Sequence, residues 1–431
     1  MNRRSFIQKA GTATAGAMVL PYILPSGRLF AASGSRVVDH VVVCLYAGGV
    51  RNLDTVHKAD GNLMRNTLVG SESISSDIAP GIDLLPTIGS PLQTQGTLYR
   101  EFRFAQGSTG HYSGHSTALT GHYNINDVNI KVRPPMPTVF EYYRKHTQPE
   151  TSALNAWWVS NQLGPYPALN FSSHPDYGDM YGANYIQWAG IFSQGGYDSI
   201  GMPKLFSASD MERVKKIRGF ADDNFSNVFS GGGAGVTNSE AERAALEQFL
   251  LQHLNAAIGG AYQDPWGIGW MSNDQSNIFM AELLIQQFKP ELLVVNMTDV
   301  DICHSNFTSY ANNLVKADYA LAHLWQTIQA TPGMAGNTIL IAVPEHGRNL
   351  EPNTLVDAYG RAALDHTNTD TSREIFCLVL GPSGKVQQNQ LITQVVGESI
   401  DIVPTVAHIL GFQDAVAGML PGRVLDEAVI G

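Results

Sequence analysis

Residues Thr338 to Arg348 read TILIAVPEHGR, and the reading of this stretch decides the fold. Thr338–Val343 is a short, almost wholly apolar run of the kind that forms a fully buried strand. It stops at Pro344 and is followed at once by Glu345, His346 and Gly347. A carboxylate and an imidazole side by side where a buried strand ends are a metal-site signal. The strand fixes the backbone, and the loop beyond its carboxyl end turns side chains into the crevice where α/β proteins bind ligands. The alternative is a surface turn with an incidental Glu-His pair, so the flanking chain must decide.

Upstream, Leu292–Met297 (LLVVNM) is another buried-strand run, and Asp299, Asp301 and His304 stand directly after it. Phe307, Tyr310, Leu314, Ala317, Leu321, Leu324 and Ile328 then recur at spacings of three and four, one apolar stripe along a long helix. Downstream, a loop with Asp365 and His366 leads into a strand at Ile375–Leu380 closed by Gly381-Pro382. Ile400, Val403, Ala407 and Leu410 mark a helix with Pro404 in its first turn and Gly411 at its end. Nearer the amino terminus, Val37–Tyr46 reads as a strand running into Ala47-Gly48-Gly49-Val50-Arg51, where two glycines permit a tight turn. Gly96–Phe104 and Ala153–Val159 read as further strands and Pro137–Thr147 as a helix. Strands alternating with helices, with ligand-type residues at strand ends, predict an α/β three-layer sandwich: a mostly parallel central sheet with helices on both faces.

Two further stretches stand out. Gly107–Tyr123, GSTGHYSGHSTALTGHY, holds His111, His115 and His122 among hydroxyl residues and glycines, with no ordinary surface charge, and is a site candidate. From about 160 to 289 the pattern loosens into a region that reads as a variable insertion or cap shaping substrate access. Within it, Ser230–Gly235 (SGGGAG) reads as a flexible linker, because no strand precedes it and no Lys follows where a phosphate cradle needs one. Ser239 and Glu242 form a capping box that opens a helix through about Ile258.

A chain of 431 residues, 44% hydrophobic, supports a substantial core. The net charge of −11 and the 15% content of charged residues exclude a nucleic-acid partner, which needs clustered Lys and Arg. Cys44, Cys303 and Cys377 are odd in number and each lies in or beside an apolar run, which predicts buried free thiols. Residues 1–33 read as an export signal: Arg3-Arg4 before Ser5-Phe6-Ile7, a mildly apolar stretch from Ala10 to Leu24, and a small-residue exit at Ala31-Ala32-Ser33. The apolar part is too short and too interrupted to span a bilayer, so no stable membrane span is expected after signal removal. The expected partner is the twin-arginine export machinery, and the mature chain, 34–431, is expected in the periplasm or outside the cell.

The order of elements resembles the alkaline phosphatase superfamily, which includes sulfatases, nucleotide phosphodiesterases and phosphoglycerate mutases. The matching residues are Gly49-Val50-Arg51 after the first strand, His115-Ser116-Thr117-Ala118-Leu119-Thr120-Gly121 with Tyr123, Asp301 with His304, Glu345-His346-Gly347, His366, and Asp401-Ile402-Val403-Pro404-Thr405 with Leu410-Gly411. The resemblance implies one metal site from Asp301, His304 and His366 and a second from Glu345 and His346, completed by His111. It implies a divalent ion, zinc first, with Mn, Ca or Mg as alternatives, and hydrolysis of an anionic small-molecule or glycan ester of phosphate or sulfate. Two departures qualify it. The metal-binding Asp usual at the end of the first strand is Gly48 here, and the hydroxyl or thiol nucleophile slot is His111. Thr109 or Ser113 serving after a local shift, His111 itself, or direct attack by metal-activated water remain open as the source of the nucleophile. Arg51 and His115 are candidates for contacting the substrate oxyanion. The other reading is a catalytically inactive chain that keeps the fold as a binding or surface protein.

Overall fold

The computed structural model describes residues 34–123, 133–147, 151–160, 169–186 and 236–431, less 60, 71 and 72, together with two short strands, Tyr22–Ile23 and Leu29–Phe30. The rest of the export segment and the Ser230–Gly235 run lie outside the described residues.

His40–Tyr46 (β1) is the central strand because its residues are apolar on both sides. Val41, Val43 and Leu45 belong to one buried cluster, and Val42, Cys44 and Tyr46 to the other. Alternation in a strand sends successive side chains to opposite faces, so a run without polar interruptions must be covered twice. The other strands in chain order are Gly96–Arg103 (β2), Ala156–Val159 (β3), Asn184–Ile186 (β4), Leu292–Met297 (β5), Thr338–Pro344 (β6), Glu374–Leu380 (β7) and Gln390–Ile392 (β8). They form one sheet in the order β8-β2-β7-β6-β1-β5-β3-β4. All described neighbours run parallel except β7, which is antiparallel to both β2 and β6.

One face is covered by His111–Thr120 (α1), Val139–His146 (α2) and Ile402–Ile409 (α6). The other is covered by Glu240–Ile258 (α3), Asn273–Phe288 (α4) and Phe307–Ala330 (α5). The three-layer architecture is therefore the one expected. The apolar stripe on α5 is buried along its whole length, and the Ser239–Glu242 capping box opens α3 as read. Both α3 and α4 belong to this helical layer, not to a cap over it; α4 contributes Ile278, Met280, Leu284 and Ile285 to the core. Of the 160–289 stretch, residues 161–168 and 187–235 lie outside the described residues. Cys44, Cys303 and Cys377 are buried free thiols.

Register places the site. Tyr46 is level with Met297 of β5 and with Pro344 of β6, so three loops leave the sheet side by side. They carry Gly48, Asp299 to His304, and Glu345 with His346. The reversed β7 adds a fourth, because the start of an antiparallel strand lies at the edge where its parallel neighbours end. His366 therefore reaches the same edge although it precedes its strand.

One side chain ties these loops together. Arg348 is fully buried, at 0% exposure. Its Nε donates to the Gly49 carbonyl at 3.0 Å and its Nη1 to the Leu364 carbonyl at 2.7 Å. Its Nη2 donates to the carbonyls of Gly48 and Val300 and to Asp301 Oδ1, the last two at 3.2 Å each. A fork of fixed donors meets acceptors from three separate loops. Replacing Arg348 by Met should leave the buried carbonyls of Gly48, Gly49, Val300 and Leu364 without this donor and cost about 3–5 kcal/mol. The measurement is the urea unfolding midpoint, and a midpoint equal to that of the native chain would contradict the role.

Candidate metal centre

Helix α1 brings in the glycine- and histidine-rich window. Its residue His111 stands in the first turn, and Gly114 lets the helix press onto the end of β6: a Cβ there would lie 2.8 Å from both Cβ and O of Glu345. Residues 111–120 of the window are thus helical. The window's lack of ordinary surface charge follows from burial, since every residue from Tyr112 to Thr120 is inside.

His111 sits between two ligand clusters. Its Nδ1 donates to Glu345 Oε1 at 2.7 Å, and its Nε2 lies 3.5 Å from Asp301 Oδ1. On the Asp301 side, His304 Nε2 is 3.3 Å and His366 Nε2 3.8 Å from the same carboxylate oxygen, and the two nitrogens are 2.8 Å apart. On the other side, His346 Nε2 is 3.2 Å from Glu345 Oε1. Within each group, one ligand atom per residue lies within 4.8 Å of all the others: His111, Asp301, His304 and His366 in the first, His111, Glu345 and His346 in the second. The first group is partly open to solvent, whereas Glu345 and His346 beneath it are wholly buried.

Neighbouring groups fix the orientation of each ligand. His304 donates from Nδ1 to Asp365 Oδ1 at 2.7 Å, which leaves Nε2 turned to Asp301 and His366. His346 donates from Nδ1 to the Gly347 carbonyl at 2.9 Å. Its buried Nε2 then has no hydrogen-bond partner, although Glu345 is adjacent. A bare imidazole nitrogen held beside a carboxylate is what a cation requires, and an oxygen and nitrogen donor set without thiolates suits zinc and the harder divalent ions. The residues present fit such an ion.

The electrostatics agree with a site prepared for positive charge. Burial disfavours charge on His111, but Glu345 and Asp301 outweigh it and push the imidazole up to about 10. Burial would also raise Asp301 and Glu345, yet the surrounding histidines hold both carboxyls well below their usual range. Burial, then the neighbouring His346, push His366 down to about 3. His346 is lowered as well, chiefly by burial.

The remaining candidates from the sequence lie elsewhere. Thr109 Oγ1 donates to the His366 carbonyl at 3.0 Å and accepts from Asn368 N at 2.9 Å, so its hydroxyl pins the loop that carries His366. Ser113 is two residues, about 200° of helical rotation, from His111, and its hydroxyl is buried without a partner. The Arg51 guanidinium grips Asp54 at 3.0 and 2.6 Å. His115 is fully buried behind Glu345; its Nδ1 approaches Glu345 Oε2 and its Nε2 donates to Asn296 Oδ1 at 2.8 Å. At position 48, φ is +103° and a Cβ would lie 2.5 Å from Asp301 N. The space an aspartate would need is taken by Asp301, and Gly48 N instead donates to Glu345 Oε1 at 2.5 Å. Sequence reading missed Arg348, Asn296 and the part played by Asp365. Asn296 did leave a signal, as the one amide inside the apolar run LLVVNM.

Fold and site define an α/β protein with two adjoining carboxylate–imidazole clusters at the carboxyl edge of its sheet. No family model matches the chain, and no curated protein matches it. It is similar to solved structures of the alkaline phosphatase superfamily. One is a protein of that superfamily from Vibrio parahaemolyticus, 10% identical, with 88% of this chain and 69% of that one covered and a TM-score of 0.46. The wild-type alkaline phosphatase PafA is 12% identical, with 91% of this chain and 99% of that one covered, at a TM-score of 0.45. The PsFucS1 sulfatase from Pseudoalteromonas sp. is 12% identical, with 90% and 71% covered, at 0.43.

The raised His111 gives a pH test in metal-free protein. A group whose folded value, about 10, lies above its ordinary value near 6.5 stabilises the fold fully below the lower value and loses that contribution as pH rises through the higher. The difference in thermal midpoint between the native chain and His111→Phe, both treated with chelator, should shrink from pH 6.5 to 10. A difference that stays constant over that range would contradict the assignment.

Proposed function

We propose that the chain is an exported, metal-dependent hydrolase of phosphate or sulfate esters, an atypical relative of the alkaline phosphatase superfamily. The observation that carries this reading is His111, whose two ring nitrogens face two adjoining ligand clusters. Asp301, His304 and His366 would hold one divalent ion, and Glu345 with His346 a second, with His111 contributing between them; zinc suits this donor set first, and Mn, Ca or Mg are alternatives. When bound, such an ion supplies Lewis-acid charge for the ester oxyanion and lets water attack as hydroxide near neutral pH.

No side-chain nucleophile is then needed, which accords with the Thr109 hydroxyl being engaged by the loop that carries His366. The chain's own residues set the geometry in advance. Asp365 holds the His304 ring, the Gly347 carbonyl holds His346, and Arg348 holds Asp301. An anionic ester, small or glycan-borne, would approach from the Asp301–His304 side, the side open to solvent. Among the described residues no helix is long and apolar enough to cross a membrane. The Arg3-Arg4 segment supports export by the twin-arginine machinery to the periplasm or beyond.

The test is metal analysis of the purified protein together with turnover of nitrophenyl phosphate, a nitrophenyl phosphodiester and nitrophenyl sulfate. Bound zinc or manganese in stoichiometric amount is expected, with turnover of one class of ester reduced about a hundredfold or more by His346→Ala, since even residues that only support ligands are worth 10–100-fold. A metal-free protein inert toward all three would overturn the hydrolase reading and leave a binding protein.

A further inference from the structure

His304 is the most exposed of the ligands on the open side, with 37% of its side chain uncovered against 22% for Asp301 and 11% for His366. It closes the short turn Asp299–His304, and Ser305 beyond it is exposed. A ligand at the end of such a turn keeps one position only if groups outside the turn hold it. Asp365 holds the ring. Asn353 holds both Asp365 and the main chain of His304.

Asn353 opens a hairpin that returns at residue 363. Its backbone N donates to the Ala363 carbonyl, and Ala363 N donates to the Leu355 carbonyl, both at 2.8 Å. Its side-chain oxygen accepts from Leu355 N at 2.9 Å. A backbone N–H can be met only by the oxygen of an amide, so the end turned toward His304 is the nitrogen. That nitrogen carries two N–H groups, and each has an acceptor at 3.0 Å: the His304 carbonyl and Asp365 Oδ1. Asp365 Oδ1 is also the atom that His304 Nδ1 meets at 2.7 Å. One amide therefore closes a loop through both ends of one ligand, its carbonyl and its imidazole.

The consequence is geometric. Asp365 is itself one-third exposed, and without the amide its carboxylate could turn toward water and carry the His304 ring with it. The Nε2 that faces Asp301 and His366 would then lose its fixed direction. The far end of the hairpin has its own anchor. Asp357 Oδ2 accepts from Thr308 N and Oγ1 at 2.8 and 2.7 Å, at the start of α5. Loosening that anchor separates the order of the hairpin from the contacts of the amide.

We propose, on the reading that the Asp301 side of the centre holds a divalent ion, that Asn353 is the positioning residue that fixes His304 for that ion. The full chain, stripped of metal by a chelator, is titrated with zinc in competition with a chromophoric chelator, and with cobalt while visible absorption is recorded. His304→Ala and His346→Ala assign each binding step to its cluster. Asn353→Ala and Asn353→Leu, the second keeping the volume, should each weaken the ion on the Asp301 side about 10–100-fold, the worth of groups that hold ligands in place. The cobalt absorption of that side should shift, while the ion at Glu345 and His346 binds as in the native chain. Asp357→Ala should leave both steps native. Native affinity on the Asp301 side in either folded Asn353 variant, an unmoved cobalt absorption, or an equal loss in Asp357→Ala would overturn the proposal and leave the hydrolase reading standing. A native chain that takes up no ion would overturn both.

Discussion

A guanidinium withdrawn wholly from water is tolerated only where its donors meet acceptors on every side. Arg348 meets that condition by reaching the carbonyls of Gly48, Gly49, Val300 and Leu364 and the carboxylate of Asp301. Those acceptors belong to the loops after β1 and β5 and the loop before β7. None of the three can shift without leaving the charge short of a partner, so one side chain sets the relative position of Asp301, of the Gly48 turn and of the segment that leads to His366. The residue follows directly on Glu345, His346 and Gly347, and the strand end that supplies two ligands also supplies the clamp for the others.

Around this clamp Asp301 and His111 share the front of the centre. At position 48 the backbone has φ of +103° and passes so close to Asp301 that a side chain cannot be added without moving it. Asp301 occupies that ground, and His111, at the head of α1, extends between it and Glu345. The side-chain-free strand end at Gly48 and the imidazole at the start of α1 are therefore two sides of one arrangement. Charge is conserved locally: the histidines hold both carboxyls ionised, and the carboxyls favour a cation among the histidines.

Much of this was legible before any coordinates. β1, β5, β6 and β7 announce themselves as apolar runs, and α5 as a stripe of threes and fours, because burial on two faces or on one leaves different periodicities. Glu345, His346, Asp301 and His304 stand out because strand ends at the carboxyl edge converge. Other features could not be read. Arg51 and Thr109 have the right chemistry in the right neighbourhood, but Asp54 and the loop at His366 engage them.

The sequence by itself determined the layers, the strands and the kinds of ligand available, for these depend on hydrophobic period and on residue chemistry near strand ends. Only the tertiary structure decided that β7 runs backward and so delivers His366 to the common edge, that His111 looks toward two clusters at once, and that Arg348 holds the loops in register. Periodicity records which face of an element is buried. It carries no record of strand direction, of the partner a side chain will meet, or of the space a missing Cβ leaves for another residue, and those were fixed only when distant segments packed together.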